Sequence, residues 1–419
     1  MFKNTKIFIC LLSLIIFIFY SSIPSFADDI NLEEEQYITD ENIINTSSSV
    51  ISTTIPAINS RSAIVLDRNS ENILYGKNQF NKVKMASTTK IMTSTIIIEN
   101  CNLNDIVTVS KKAANTGGSR LGLSNNDKLT VRDLLYGLML RSGNDAAVAL
   151  AEHCSGNIDE FSKLMNKKAA SLNLSNSHFE TPHGLDSDNH YTTAYELALL
   201  SNYALKNKTF SEIVGTKITT IYINNNPRQI SNTNELLGNL NGIYGIKTGF
   251  TNGANRCLVT ACKRNDLDII CVVLGADTKR FRTTDSIKLI EYTFSNFVPT
   301  NISDILNNKL SEWKDSNLEN FKIEKNSIKS DSLNIKLDIP DNTIISIQKS
   351  KLELLKISIS CNSNLVTPLS KNTILGFVSL EDDESILYTS NILLDSNLYK
   401  KDFFEYYIYL LKSLKIINT

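Results

Sequence analysis

The order in which strand and helix patterns follow one another constrains the fold of this 419-residue chain more than any other feature of its sequence. Near the start, residues 62–67 and 73–75, joined by a polar turn, predict a β-hairpin. Residues 85–205 have apolar positions mostly at helical spacing, and strand patterns return afterwards in three segments, 242–247, 256–262 and 268–275. Because both ends of this region supply strands, we expect one antiparallel sheet with helices packed on it, completed by a last helix over 284–297.

A second, smaller domain is expected after Pro299. Between residues 320 and 388, apolar and polar residues alternate in short runs, so residues 300–392 are predicted to form a β-rich domain. A hydrophobic fraction of 42%, with only 16 Gly and 7 Pro, is typical of folded domains rather than of disordered or collagen-like chains. Lysine and arginine total 43 against 44 acidic residues. This balance lacks the basic excess of nucleic-acid binders, so no nucleic-acid partner is expected.

The N-terminus has the pattern of an export signal. Lys3 and Lys6 precede an apolar run over residues 7–20, and Ser25-Phe26-Ala27 supplies small residues at a cleavage site. This pattern predicts a signal peptide over residues 1–27, with an uncleaved anchor as the alternative. Residues 28–58 contain several acids and no lysine or arginine, which indicates a flexible acidic spacer. We therefore expect an exported protein, at the outer face of the cytoplasmic membrane or in the cell wall.

The C-terminal residues 393–419 are predicted to contain an amphipathic helix. Its aromatic and aliphatic residues, such as Phe403, Tyr407 and Leu411, recur at roughly helical intervals, and lysines outnumber acids between residues 400 and 419. A basic amphipathic helix of this kind can lie on a membrane surface. The alternative is a helix docked on the β-rich domain.

Cysteines and histidines give no sign of a cofactor or a metal site. Six cysteines remain after the signal peptide, without a CxxC motif, so no obligatory disulfide framework is expected. Those in the apolar strand patterns (Cys257, Cys262 and Cys271) are predicted to be buried small hydrophobes. The four histidines lack an HExxH motif, and we expect them to be structural.

Three short motifs in a set order carry the chemistry. The first is Ser87-Thr-Thr-Lys90. A serine hydroxyl needs a neighbouring base to act as a nucleophile, and residues three apart share one face of a helix, so Lys90 can reach Ser87. Lys90 must be neutral to accept the proton, which burial among the flanking apolar residues would favour. The alternative is a helix-capping Ser87 with a solvated Lys90.

The second and third motifs are Ser142-Gly-Asn144 and Lys247-Thr248-Gly249. The hydroxyl of Ser142 could relay a proton and the amide of Asn144 could orient a substrate carbonyl or Lys90, unless the two residues only cap the next helix. An ammonium and a hydroxyl at Lys247 and Thr248 can anchor a carboxylate, unless this is an edge-strand lysine facing water. Gly249 would let an extended substrate lie alongside the strand.

The next residue, Phe250, completes the predicted site. Its backbone N–H could pair with that of Ser87 to form an oxyanion hole, which would stabilise the negative charge of a tetrahedral intermediate.

The chain resembles the serine D-alanyl-D-alanine carboxypeptidases, which are low-molecular-weight penicillin-binding proteins. Besides the three motifs, the resemblance rests on segments 178–185 and 190–194 and on residues 366–376 of the β-rich region. It implies an α+β fold with a β-lactamase/transpeptidase-like catalytic domain over residues 59–299, whose antiparallel sheet carries helices on both faces and a helical subdomain. Phe250 and Thr251 depart from relatives, as does the long spacer.

By this resemblance, Ser87 is the acylated nucleophile, Lys90 the general base, Ser142 a proton relay and Asn144 an orienting group. Lys247 and Thr248 hold the terminal carboxylate of the substrate. Arg282 assists with that carboxylate, with Arg280 as a competing candidate and an exposed helix-start arginine as the structural alternative.

The resemblance also implies partners. The substrate is a peptidoglycan stem peptide ending in D-Ala-D-Ala, β-lactams are covalent inhibitors, and the C-terminal helix contacts a membrane surface. No cofactor or metal is required. Two other functions are the alternatives: a class A-type β-lactamase, for which Glu180 is the only acid near the required loop, and a non-catalytic wall-binding module with vestigial motifs.

Overall fold

The structure is a computed structural model that describes residues 54–324, 333–383, 385–400 and 402–413. The predicted signal peptide, nearly all of the predicted spacer and the last six residues lie outside the described residues. The described chain divides into two compact units, residues 54–293 and residues from 294 onward. The domain limits expected from the sequence remain predictions.

A five-stranded antiparallel sheet is the centre of the first unit. Its strands are β1 (Ser62–Asp67), β2 (Ile73–Lys77), β7 (Ile243–Thr251), β8 (Asn255–Arg264) and β9 (Leu267–Ala276). Their order across the sheet is β2-β1-β9-β8-β7, so the N-terminal hairpin pairs with the last strand and β7 forms an edge. The predicted hairpin and the predicted closure of one sheet by both chain ends are therefore confirmed.

Helices and two small hairpins fill the chain between β2 and β7. The hairpins pair β3 (Ile106–Thr108) with β4 (Lys128–Thr130) and β5 (Ile218–Ile223) with β6 (Asn226–Ser231). The helices are α1 (Lys90–Asn100), α2 (Lys111–Ala114), α3 (Val131–Leu140), α4 (Asn144–Ser155), α5 (Ile158–Ser171), α6 (Ala194–Leu205) and α7 (Lys208–Val214). Their apolar faces and the inner sides of β1, β8 and β9 share one buried core.

Local sequence signals set several helix ends. Thr130 precedes α3, and its hydroxyl accepts a hydrogen bond from the Asp133 amide at 3.0 Å, which caps the helix. Gly156 ends α4 with a φ of +82°, a conformation that glycine adopts without steric cost. The last helix of the unit, α8 (Lys279–Asn296), begins earlier than the predicted residue 284, and the Thr278 hydroxyl accepts from the Phe281 amide at its start.

The second unit is rich in strands, as the alternating pattern predicts. Its strands are β10 (Phe297–Asn301), β11 (Lys322–Glu324), β12 (Ile335–Leu337), β13 (Ile344–Gln348), β14 (Lys356–Cys361), β15 (Asn364–Val366), β16 (Ile374–Glu381) and β17 (Ile386–Leu394). One four-stranded sheet has the order β12-β17-β16-β14, and the unit also contains two separate strand pairs, β10–β13 and β11–β15. Helix α9 (Ile302–Asn317) contributes Leu306 and Leu310 to their core.

The C-terminal helix, α10 (Phe403–Ser413), leaves its aromatic residues in solvent. Phe403 is 76% exposed and Phe404 73%, and Tyr407 and Ile408 are about half exposed. This exposure is inconsistent with the alternative in which the helix docks its apolar face on the β-rich domain. Within the residues that the structure covers, no helix combines the length and the apolar character needed to span a bilayer.

Candidate active site

Ser87 lies in a buried 3-10 turn, Ala86–Thr89, directly before α1. Ala86 adopts a φ of +48°, and strained backbone of this kind often occurs at functional sites. The loop carrying Gly184 packs on this turn: a β-carbon at Gly184 would lie 2.0 Å from the Ala86 carbonyl oxygen, so only glycine fits. No side chain caps the turn, and Ser87 is 6% exposed, so the capping alternative for Ser87 is wrong.

Lys90 is the centre of the site. It is fully buried, and its Nζ lies 2.7 Å from the Oγ of Ser87. The same nitrogen donates to the Oδ1 of Asn144 at 2.7 Å and to the carbonyl oxygen of His183 at 3.0 Å, and lies 3.4 Å from the Oγ of Ser142. The alternative of a solvated lysine is wrong, and the first two motifs meet at one amine.

The second motif lies at the start of α4, where Asn144 is the first helical residue. Ser142 has a φ of +59°, and the N-cap of α4 is Gly143, without a capping side chain. Neither Ser142 nor Asn144 is therefore a cap. The Nδ2 of Asn144 donates to the Gly117 carbonyl oxygen at 2.7 Å, which orients Oδ1 toward Lys90.

Asp145, the residue after this motif, fixes the loop over residues 121–123 beside the start of α4. Its buried carboxylate accepts hydrogen bonds from the backbone amides of Leu121, Gly122 and Leu123 at 2.7–2.9 Å. Hydrogen bonds to a charged acceptor are stronger than neutral ones. This role was not predicted from the sequence, although the position of Asp145 next to Asn144 is a usable signal.

The third motif lies on the edge strand β7. Lys247 is 1% exposed and its Nζ donates to the Thr248 carbonyl oxygen at 2.8 Å, so it is not an edge lysine facing water. The Thr248 hydroxyl is 2.8 Å from that of Thr233, a neighbour that the sequence did not reveal. A β-carbon at Gly249 would lie 3.1 Å from the Ser87 amide nitrogen. The glycine thus allows β7 to approach the turn of Ser87, a reason not anticipated from the sequence.

Phe250 and Arg282 lie near the end of β7 and in α8. The Phe250 ring is partly exposed and packs under the guanidinium of Arg256. Arg282 is buried, and its Nη2 lies 2.9 Å from the Oε1 of Glu235, which Thr283 also contacts. The alternative of an exposed arginine is therefore wrong for Arg282, whereas Arg280 is exposed. The Arg282 Nε has no hydrogen-bond partner among the described residues.

The loop over residues 178–190 is held by histidines, as predicted. His190 Nδ1 accepts from the Glu180 amide at 3.0 Å, and its Nε2 is 2.7 Å from the Thr89 hydroxyl. Burial lowers the pKa of His190 to about 4 and that of His183 to about 3. Both imidazoles are neutral at pH 7. The contact of Lys90 with the His183 backbone oxygen had no sequence signal, because any residue supplies a carbonyl.

Glu180 and the cysteines are the remaining residues for which the sequence made predictions. Glu180 hydrogen bonds with Ser187, and none of its described hydrogen bonds reaches the three motifs. Burial raises the pKa of Cys257 to about 11 and that of Cys262 to about 12, and both thiols are buried as predicted. Among the described residues, no group of three or more histidine, cysteine or acidic side chains is placed to bind a metal ion.

Comparison with known proteins identifies the family of this chain. A family model described as D-alanyl-D-alanine carboxypeptidase, of peptidase family S11, matches residues 49–278. The D-alanyl-D-alanine carboxypeptidase DacF of Bacillus subtilis is 31% identical over 352 residues, covering 83% of this chain and 87% of DacF.

Two solved structures share the fold. Penicillin binding protein 5 of Haemophilus influenzae superposes with a TM-score of 0.68 at 28% identity, over 83% of this chain and 99% of its own. The Streptomyces K15 DD-transpeptidase superposes with a TM-score of 0.55 at 34% identity, over 58% of this chain and 99% of its own. These similarities confirm the α+β, transpeptidase-like fold with a separate β-rich region.

The comparisons favour an enzyme over a non-catalytic wall-binding module, and a carboxypeptidase over a β-lactamase. The family model covers more than half of the chain, and DacF is similar over most of both lengths. The chain belongs to the D-alanyl-D-alanine carboxypeptidases of peptidase family S11, a family of serine-type, penicillin-binding enzymes of the cell wall.

Proposed function

We propose that this chain releases the terminal D-Ala from peptidoglycan stem peptides through an acyl-enzyme on Ser87. The observation that carries the proposal is the 2.7 Å contact between the Lys90 Nζ and the Ser87 Oγ in a buried setting. A hydroxyl becomes an effective nucleophile when a base lies at this distance.

The other contacts of Lys90 support its role as that base. Burial favours the neutral amine, which has two N–H groups and one lone pair. The Asn144 Oδ1 and the His183 carbonyl oxygen can only accept hydrogen bonds, so they use both N–H groups. The lone pair then faces Ser87, where it can accept the hydroxyl proton.

Acyl transfer follows from this arrangement. The Ser87 oxygen attacks the carbonyl carbon of the penultimate D-Ala while Lys90 takes its proton. The backbone amides of Ser87 and Phe250 stabilise the oxyanion. Ser142, 3.4 Å from the Lys90 Nζ, passes the proton to the leaving amine. D-Ala departs, and water then hydrolyses the ester to give the shortened peptide and free Ser87. A β-lactam acylates Ser87 by the same attack, with opening of its ring.

The end of β7 would receive the terminal carboxylate of the peptide. Thr248 offers its hydroxyl there, and Lys247 adds positive charge from the buried side of the strand. Gly249 keeps the strand close to Ser87. Arg282 contributes positive charge from within α8, although Glu235 partly neutralises it.

The test is mass spectrometry of the full-length protein after incubation with benzylpenicillin, combined with D-Ala release from an acylated peptide ending in Lys-D-Ala-D-Ala. We expect one penicilloyl adduct, on Ser87, and stoichiometric release of D-Ala. Ser87→Ala should lose both, whereas the control Ser110→Ala should lose neither. An adduct on another residue, or D-Ala release by Ser87→Ala, would contradict the proposal.

We further propose that the protein acts outside the cytoplasm and binds the membrane surface through α10. Three aromatic residues on this helix support such binding, because between half and three-quarters of each side chain is exposed (Phe403, Phe404 and Tyr407). Lys412 in the last turn of the helix supports it as well. The signal-peptide pattern supports export.

Sedimentation with vesicles containing anionic phospholipid tests the membrane contact. Phe403→Ser/Phe404→Ser should reduce the bound fraction of the full-length protein about tenfold or more, because two large apolar side chains no longer insert. Phe80→Ser, which removes a 57% exposed ring from the catalytic unit, is the matched control and should bind as the wild type does. Equal binding by all three proteins would refute a role for α10.

A further inference from the structure

Cys101 and Cys154 form a pair of neighbouring thiols in the catalytic unit. Cys101 is the C-cap residue of α1, and Cys154 lies in the last turn of α4. The two side chains share a hydrogen bond, and both pack against the buried core while they remain partly exposed. Sulfur atoms in such contact need only small side-chain rotations to come within bonding distance. The two cysteines are therefore placed to form a disulfide.

Two further contacts hold the end of α4 against the segment that follows Cys101. The His153 Nε2 lies 3.7 Å from the Oδ2 of Asp105. The Ser110 hydroxyl donates to the Oε2 of Glu152 at 2.6 Å. Because the residues beside both cysteines are tied to each other, the contact between the thiols follows from the packing of the two segments.

The two thiols differ in acidity because of their contact. The hydrogen bond from Cys101 lowers the pKa of Cys154, although burial opposes this effect, and the same hydrogen bond raises the pKa of Cys101. The thiolate is the nucleophile in disulfide exchange, so Cys154 is the attacking residue of the pair. The cysteines of the central sheet are 0% exposed and out of reach of a reagent (Cys257, Cys262 and Cys271).

The pair lies at the far ends of the two helices that carry the first two motifs. Helix α1 begins at Lys90 and α4 begins at Asn144, and the Lys90 Nζ is 2.7 Å from the Asn144 Oδ1. The helices have 11 and 12 residues, so each is about 16–18 Å long. Their side chains therefore meet in the active site and again, about one helix length away, at the thiols. A covalent bond at the second contact would limit the movement of α1 relative to α4.

We propose that Cys101 and Cys154 are a reversible redox pair, which a small-molecule disulfide converts to a disulfide bond that fixes α1 to α4. This inference does not depend on the proposed carboxypeptidase function. An enzyme of the cell wall meets such oxidants outside the reducing cytoplasm. Both thiols are free in the structure, so the fold does not require the bond.

The reaction is two successive thiol–disulfide exchanges. The Cys154 thiolate attacks one sulfur of the reagent and expels the first thiolate, which leaves a mixed disulfide on Cys154. The Cys101 thiolate then attacks the Cys154 sulfur and expels the second thiolate. The two protein thiols lose two electrons and two protons in total, and the reagent takes up both and becomes two thiols.

The test treats the full-length protein with oxidised glutathione and maps its disulfides by mass spectrometry of an unreduced digest. We expect one cross-link, between the peptides that contain Cys101 and Cys154, and dithiothreitol should remove it. The melting temperature of the cross-linked protein should be higher by about 5 °C or more, because a disulfide that closes a long loop restricts the unfolded chain.

Three variants make the outcome decisive. Cys101→Ser and Cys154→Ser should each abolish the rise in melting temperature, and of these two only Cys101→Ser should keep glutathione on the remaining thiol of the pair. Cys361→Ser, which removes a partly exposed cysteine from the β-rich unit, is the matched control and should respond as the wild type does. Thiols that do not react, glutathione that stays on Cys154 of the wild type without a cross-link, or a cross-link that leaves the melting temperature unchanged would each overturn the inference.

Discussion

In most proteins polar side chains are exposed and apolar ones are buried. The catalytic unit and the C-terminal helix α10 depart from this distribution in opposite ways. The catalytic unit buries amine side chains, with Lys90 and Lys247 at most 1% exposed, whereas α10 exposes Phe403 and Phe404 by more than 70%. Buried polar groups are costly unless they are hydrogen-bonded, and clustered exposed aromatic residues are costly in water. Carbonyl oxygens and hydroxyls within the protein offset the cost of burying the lysine amines. The exposed aromatic residues of α10 need a partner outside the protein to cover them.

The largest expected effect concerns Lys90. Lys90→Met keeps the side-chain volume but removes the base, so we expect kcat/KM for D-Ala release to fall about 10³-fold or more. The melting temperature should change by only a few degrees, because burial of an apolar side chain offsets the cost of leaving the acceptors of Lys90 unpaired. Lys163→Met, at an exposed surface lysine, is the control. A loss of folded protein would mean that the buried amine stabilises the fold and would break the contrast drawn above.

Asp145 should give the next largest effect, on stability. Asp145→Ala leaves three buried backbone amides of residues 121–123 without their acceptor, which should cost about 3 kcal/mol in the free energy of unfolding. Urea denaturation measures this change. Asp133→Ala, which removes a partly exposed carboxylate at the start of α3, should cost about 1 kcal/mol or less. Equal losses in the two variants would show that burial of the acceptor is unimportant.

A smaller effect is expected from pH. The pKa values of His183 and His190 are lowered to about 3 and about 4 in the fold, so the unfolded chain binds more protons than the native one once the pH falls below about 6.5. Stability is therefore full above that pH and declines toward the folded-state values. Each histidine should cost about 2 kcal/mol between pH 8 and pH 5.

Denaturation of the wild type and His190→Gln at both pH values tests this expectation. The variant should lose about half of the pH dependence, because one of the two histidines no longer titrates. The same dependence in both proteins would assign it to other groups.

The smallest expected effect is on the stability of the C-terminal helix variant. Phe403→Ser/Phe404→Ser should change the free energy of unfolding by less than about 0.5 kcal/mol, because these rings are mostly exposed in the folded protein. Calorimetry without lipid measures it. A larger loss would indicate that the rings pack against the protein, and the proposed membrane contact would lose its basis.

Much of the site could be predicted because its chemistry is local in sequence. Ser87 and Lys90 are one helical turn apart, so their contact follows from helix geometry alone. The order of strands and helices likewise predicted the central sheet, since a hairpin at one end and three strands at the other leave few ways to pair. The predicted start of α8 was late by five residues, because Thr278 starts the helix within a polar stretch without apolar periodicity.

Contacts between distant segments could not be predicted in the same way. The His183 carbonyl oxygen at Lys90, the Gly117 carbonyl oxygen at Asn144 and the Thr233 hydroxyl at Thr248 come from loops whose paths depend on the packing of the whole unit. Backbone acceptors leave no signature in residue types. The same holds for two arginines: Arg282 was predicted from its position, but only packing shows that it is buried against Glu235 while Arg256 stacks on the Phe250 ring.

The sequence by itself determined the reactive groups, their order and the class of fold, because motif spacing and hydrophobic periodicity are properties of neighbouring residues. Only the tertiary structure decided which oxygens occupy the hydrogen bonds of Lys90, which arginine is buried and which aromatic residues stay in solvent. These outcomes depend on close packing between segments as far apart as Lys90 and His183. Such packing arises from the summed shape and burial of the whole unit, and no local pattern encodes it.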